Sequence, residues 1–333
     1  MNKPSIEKDF SGRRVLITGG LGFIGSNLAR RLADLGADVT LQDSLPAGIG
    51  GNPYNISGYE SRLRVRAADL RDADGTAEAV RGQDFIFNLA GQVGHVQSME
   101  DPVADLEINV RAQLSFLEIC RRENPGVKIL FGGTRQVYGP PRYLPVDENH
   151  PVNPVDINAV HKLAAEQYHI LYHRVYGLRA VVLRMTNVYG PRMRVKDGLK
   201  NFLGLWVRQL MQGEDITVYG DGSRRRDLLY VEDAVDAMLL AALHSEAEGQ
   251  IFNLGETESI SLLELAKRMI EIHGGGNFRR IPFPSGRNKI AIGSYASDIG
   301  KIRMELGWEP ITPLQEGLRA TLAYFRRNGE HYW

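Results

Sequence analysis

A single cysteine, Cys120, stands among 333 residues, which excludes an intrachain disulfide and any metal site built on cysteine thiolates. It falls in an apolar-periodic stretch, so a buried structural thiol in a reducing compartment is expected. Excess charge of either sign is also missing, because 40 Lys and Arg balance 40 Asp and Glu. No global field is left to recruit nucleic acid or an anionic membrane, and neither is expected as a partner. No run approaches the roughly 20 apolar residues that cross a bilayer. The opening MNKPSIEKDFSGRR is polar and lacks the apolar core of a secretory signal. A cytoplasmic location is the expectation, with no metal site, internal repeat or flexible linker.

What is present is an ordinary globular composition, 43% hydrophobic and 24% charged, on a chain long enough for one large domain or two. Short apolar runs alternate with amphipathic segments through the first half. RVLIT is a compact strand, after which Ile24, Leu28, Leu32 and Leu35 recur at helical spacing until Gly36. DVTLQD, LRVRAAD, FIFNLAG, VKILFGG and LRAVVLRM read as further strands. Strands joined by helices imply parallel pairing, hence an α/β fold with a doubly wound parallel sheet of the Rossmann type. The second half is punctuated by Pro and Gly and predicts a smaller mixed α/β lobe. Residues 1–187 with about 228–256 are assigned to the parallel-sheet domain, and about 188–227 with 257–333 to the smaller lobe. LLYV and IFNLG read as returning elements. Ser261 with Glu264, and Thr312 with Gln315 behind Pro313, fit helix capping boxes.

Chemistry enters at TGGLGFIGS, where Gly19, Gly22 and Gly25 fall between the first strand and the first helix. Glycines there permit a tight turn, close backbone approach to a pyrophosphate and close helix packing, with the anion at the positive helix end. Phe23 and Ile24 open that helix. Asp43 ends the second strand 18 residues after Gly25, where a carboxylate accepts from ribose hydroxyls and repels a 2′-phosphate. NAD is therefore favoured over NADP. Asp69 and Leu70, ending the third strand, are placed near the adenine, although Asp69 alone reads equally as a helix cap.

These motifs, with NLAGQ, the helix near Pro102, GGTRQVYG, the Lys162 helix, LRMTNVYGPR, YGDGSRRRDLLYVED and SYASDIGKIRMELGWEP, resemble the extended short-chain dehydrogenase/reductases. Within them the chain looks most like the NAD-dependent nucleotide-sugar epimerases and dehydratases, of the UDP-glucose 4-epimerase kind. The resemblance implies that NAD accepts and returns a hydride while a sugar hydroxyl passes through a ketone. It assigns Leu89, Ala90 and Gln92 to the cofactor, Thr134 to the reacting hydroxyl, and Lys162 to the nicotinamide ribose. Asn187, Arg226 and Arg287 match residues that grip the substrate diphosphate, for which guanidinium groups are well shaped. The expected function is epimerisation, at C4 of a UDP-sugar, the alternatives being a related dehydrogenase or decarboxylase, or a catalytically weak binding protein. A homodimer is also implied, paired through the helices at PVADLEINVRAQLSFLEICRREN and AVHKLAAEQYHILYHRVYG.

One position departs from the pattern. The family tyrosine that takes the hydroxyl proton matches Asn158, the third catalytic position beside Thr134 and Lys162. Moving a tyrosine from its ordinary value near 10 to neutrality takes roughly 4 kcal/mol of phenolate stabilisation; an amide cannot titrate there at all. Its role is then to orient a hydroxyl or a water. The base is sought in His161, Tyr138, Lys162, a water held by Thr134 or a carboxylate of the substrate itself, with His161 more often an exposed helix residue. Arg135 and Gln136 stand where dehydratases carry an acid pair, which disfavours elimination of water. Arg192, Arg194 and Lys196 form a basic loop able to close over a diphosphate, a solvated loop being the plainer alternative. Trp206 is read as core.

Overall fold

The computed structural model describes residues 9–44, 51–196, 201–283 and 290–333. Twelve strands run β1 Arg14–Thr18, β2 Asp38–Asp43, β3 Leu63–Ala67, β4 Phe85–Asn88, β5 Lys128–Thr134, β6 Arg179–Met185, β7 Asn187–Tyr189, β8 Ile216–Tyr219, β9 Arg225–Tyr230, β10 Ile251–Leu254, β11 Ser259–Ser261 and β12 Phe278–Ile281. Seven make one parallel sheet in the order β10-β6-β5-β4-β1-β2-β3. Val15 to Thr18 are all buried, as a strand covered by helices on both faces requires. One face is covered by the helices Phe23–Asp34, Val231–Leu243 and Gly300–Leu306. The other is covered by Ala73–Val80, Ala112–Glu123 and Ile157–Tyr176, and Cys120 lies fully buried there, as expected.

The strand order reverses between β1 and β4. The chain winds outward from β1 to β3, then returns to β4 on the other side, which opens a crevice at the carboxyl ends of β1 and β4. The second half supplies a three-stranded sheet, β11-β9-β7, and a parallel pair, β12-β8. These share a separate core that includes Tyr189, Val207, Leu265, Met269 and Phe325. Trp206 belongs to it, with its indole N–H on the Thr217 carbonyl at 2.9 Å. Of the two returning segments, IFNLG adds β10 to the edge of the large sheet, whereas LLYV ends β9, the central strand of the small one, at Tyr230.

Local starts follow the sequence in one place and not in another. Ser261 and Glu264 form a complete capping box on the helix Leu262–His273. Thr312 does not cap its helix, which begins at Leu314 behind Pro313 without a side-chain cap. The Asp233 carboxylate, on a helix of the large core, takes the Ile311 and Thr312 N–H groups at 3.2 Å each. A tertiary acceptor has displaced the local one.

Candidate active site

One end of the crevice, at the glycine loop, is made of backbone. Gly19 has φ of +68°, and a Cβ there would lie 3.0 Å from the Ala90 nitrogen. A Cβ on Gly25 would collide with the Gly19 carbonyl oxygen. Gly22 begins the Phe23–Asp34 helix with no side-chain cap, which leaves the first N–H groups of that helix without one, an arrangement that suits an anion. Asp43 is buried at the end of β2 and holds the Leu21 N–H at 3.1 Å. Thr18, which sequence reasoning passed over, accepts the N–H groups of Leu89 and Ala90 at 3.1 Å each, locking the ends of β1 and β4 together. Its threonine-ending strand was the available signal.

Asp69 is ion-paired to Arg71 at 2.8 Å, which holds its carboxyl below the usual range, and Leu70 beside it is buried. The following helix is capped by Asp72 instead, so the cap reading of Asp69 fails. Arg192, Arg194 and Lys196 line a cleft of about 250 Å³ with Gly22 and Phe23, placing cations beside the anion-binding helix end. A cleft of about 720 Å³ opens at the opposite edge of the sheet, among Arg13, Asp84, Asn124, Arg179 and Glu246. It lies at the amino ends of the strands, away from the switch point where ligands of such sheets bind.

The other end, around Thr134 and Lys162, is made of side chains. Thr134 ends β5, and its hydroxyl oxygen accepts the Gln136 N–H at 3.2 Å. Lys162 is 7% exposed. Its ammonium sits over the Phe131 ring at 5.3 Å and has no hydrogen-bond acceptor among the described residues. Burial, opposed by the charge of Asp105, pulls it down to about 8. Asn109, inside a π-helical turn at Glu107–Arg111, clamps the Gln92 backbone with reciprocal bonds of 3.0 and 3.1 Å. This amide was missed, since nothing in its sequence neighbourhood marks it; π turns often mark functional sites.

Asn158 is 2% exposed. Its amide donates to the Gln92 carbonyl at 2.8 Å and to Asp105 Oδ2 at 3.0 Å, so both hydrogens are committed inside the protein. Asp105 Oδ1 meets His161 Nδ1 at 2.7 Å. His161 is therefore pinned and largely covered rather than an exposed helix residue. Tyr138 is excluded as the base. Fully buried, it donates to Asn253 at 2.7 Å and accepts from Arg184 at 2.8 Å, and burial pushes it up to about 12.

A second histidine, His95, was not singled out from the sequence. Its Nδ1 lies 3.1 Å from Asp156, and its Nε2 lies 3.3 Å from the Gln136 side-chain nitrogen. Asp156 is buried and caps the Ile157–Tyr176 helix through the Ala159 N–H at 2.8 Å. Only the fold brings residues 95, 136 and 156 together.

Beyond the Thr134 turn, Asn187 accepts from Arg135 at 2.6 Å. Arg135 is buried, stacks over Tyr295 at 4.8 Å, and leaves its Nη1 without a partner. Arg226 donates to the carbonyls of Arg225 and Gly293 at 2.8 and 2.5 Å. Burial and the charges of Arg135 and Arg224 pull it down to about 9. An anion would relieve that crowding of positive charge. Arg287 lies outside the described residues.

A bare helix end behind tight glycines, a buried carboxylate closing β2 and a largely buried lysine fit a dinucleotide laid across the crevice. Comparison with known proteins agrees. Residues 15–255 match the NAD dependent epimerase/dehydratase family. A putative UDP-glucose 4-epimerase of Methanocaldococcus jannaschii is 32% identical over 94% of this chain and 99% of its own length. UDP-glucuronic acid decarboxylase 1 of Xenopus tropicalis is 33% identical over 98% of this chain and 74% of its own length. The UDP-glucose 4-epimerase of Thermotoga maritima, solved with UDP-glucose, superposes with a TM-score of 0.87 at 29% identity, covering 95% of this chain and 99% of its own.

Proposed function

The chain belongs to the NAD-dependent epimerase/dehydratase family, and from that premise we propose that it is a nucleotide-sugar epimerase that inverts C4 of a UDP-sugar in the cytoplasm. One observation carries the choice of reaction. Directly after Thr134 the structure holds buried Arg135 and half-buried Gln136, with no acid there to protonate a departing hydroxyl as elimination needs. When bound, NAD supplies reversible hydride acceptance. Thr134 holds the reacting hydroxyl, and Lys162 binds the nicotinamide ribose and keeps positive charge beside the site. Asn187, Arg226 and Arg287 grip the diphosphate. Asn158 acts indirectly, by fixing Gln92 and Asp105 around Lys162.

Exposed Val103, Leu106, Val160, Leu171, Val175 and Tyr176 support pairing of two copies through their helices, since such apolar surface is costly in water. Decarboxylation of a UDP-uronic acid is the second reading, favoured by the open Nη1 of Arg135, a ready partner for a sugar carboxylate. Incubation with NAD and a panel of UDP-, GDP- and dTDP-sugars, followed by chromatography, separates these. An isomer of unchanged mass supports epimerisation, and a lighter pentose product supports decarboxylation. Tight binding with every sugar returned unchanged would leave a binding protein.

A further inference from the structure

We propose that His95, oriented by Asp156, takes the hydroxyl proton that the family tyrosine takes elsewhere. The inference rests on the epimerase reading and supplies the base that Asn158 cannot be. A carboxylate can only accept, so the Asp156 contact at 3.1 Å requires the proton on His95 Nδ1. In the neutral ring the lone pair then resides on Nε2. That nitrogen points at the turn carrying Thr134, where it meets the Gln136 side chain at 3.3 Å, and the Gln136 backbone is bonded to the Thr134 hydroxyl. The Gln136 side-chain oxygen is buried without a partner, so this amide is only half satisfied by the protein and is free to turn toward a ligand hydroxyl.

The arrangement has the logic of a histidine base with a carboxylate behind it. A substrate hydroxyl that replaces the Gln136 amide at Nε2 loses its O–H proton to that nitrogen. The C–H bond breaks with its electron pair leaving to oxidised NAD, and a C=O remains. Return of the hydride to the other face of the ketone, with the proton given back from Nε2, completes the inversion with no net redox change. His161 is placed less well. Its carboxylate partner, Asp105, is on the helix Pro102–Leu106, and no group of the Thr134 turn lies within hydrogen-bond distance of it among the described residues. Lys162, with its ammonium near 8, is mostly protonated at neutral pH and is better suited to holding charge than to accepting a proton.

The test compares His95→Gln, His161→Gln and Asp156→Asn with the wild-type holoenzyme. Asparagine is as good a helix cap as aspartate, so the last variant removes charge while keeping the Ala159 contact. Turnover of the sugar identified by the panel should fall about 10²- to 10⁴-fold in His95→Gln, with NAD affinity by calorimetry unchanged within a factor of about two. Asp156→Asn should also lose turnover. Long-range ¹H–¹⁵N spectra of histidine-labelled protein should show His95 as the Nδ1–H tautomer, a population that Asp156→Asn depletes. An Nε2–H tautomer in the wild type, or turnover in His95→Gln within tenfold of wild type, overturns the assignment and leaves the epimerase reading standing. If the wild-type enzyme returns every sugar unchanged, the epimerase reading falls and takes this base with it.

Discussion

The two ends of the crevice are built on different principles. At the glycine loop the proposed ligand-facing groups are backbone N–H, and the residue types are dictated by space: a Cβ at Gly25 meets the Gly19 carbonyl and one at Gly19 meets Ala90. At the Thr134 end the proposed ligand-facing groups are side chains, held in a chain of contacts from the Gln92 carbonyl through Asn158 and Asp105 to His161, and in His95–Asp156. Where no Cβ fits, a backbone site tolerates almost no substitution. A side-chain site can exchange its acid–base groups while the scaffold stays in place.

The contrast breaks most severely at Gly25. Gly25→Val puts a branched side chain where no Cβ fits, against backbone that cannot swing away, and overpacking of this kind costs about 1–3 kcal/mol. Calorimetry should detect no NAD binding in this variant, with a lowered melting temperature. Retained affinity would mean that the loop is not the cofactor seat.

At the other end, Lys162→Met should weaken function and strengthen the fold. The folded-state value of about 8 lies below the ordinary 10.5, so the unfolded chain holds this proton more tightly. That gap corresponds to a penalty of roughly 3 kcal/mol. Below pH 8 both states are protonated and the penalty is complete; it fades between about 8 and 10.5 and is absent above. Urea unfolding without added NAD should therefore show the variant more stable than wild type at pH 7, with the difference shrinking as pH rises through that window. Turnover should fall at least tenfold, since a fixed positive charge at a reacting centre is typically worth several kcal/mol. A variant less stable than wild type at pH 7 would show the ammonium to be satisfied.

Asn158→Ala tests whether the amide supports or reacts. Two donated bonds disappear, leaving Gln92 and Asp105 short of partners, at about 1–3 kcal/mol of stability. Turnover at a temperature where the variant is folded should drop by less than in His95→Gln. Asn158→Tyr restores the phenol but removes the same two donors, so its stability loss should be no smaller. A variant as stable as wild type but inactive would return Asn158 to the chemistry.

This division also explains what could be read in advance. The parallel sheet follows from apolar runs such as RVLIT alternating with helical periods, and the glycine loop from spacing that few other structures need. Thr134 and Lys162 sit on the elements expected of them, the end of β5 and the long helix. Contacts between distant segments were not legible. Asp105 lies 53 residues from Asn158 and His95 lies 61 from Asp156, and no periodicity relates such pairs. The same limit applies at Thr312, where a sound local capping pattern yields to Asp233.

Asp43 is the exception at the backbone end, a side chain whose charge matters there. It holds the Leu21 N–H at 3.1 Å in the protein alone, so Asp43→Asn keeps an acceptor for the loop while removing the negative charge proposed to favour unphosphorylated ribose. NAD affinity should weaken about tenfold, near 1.4 kcal/mol, a smaller loss than at Gly25 because the helix end and its N–H groups are untouched. Discrimination against NADP should narrow in the same variant, since the repulsion of a 2′-phosphate goes with the charge. Equal calorimetric losses for the two dinucleotides would mean that Asp43 only braces the loop, and the backbone would then account for the whole of that end.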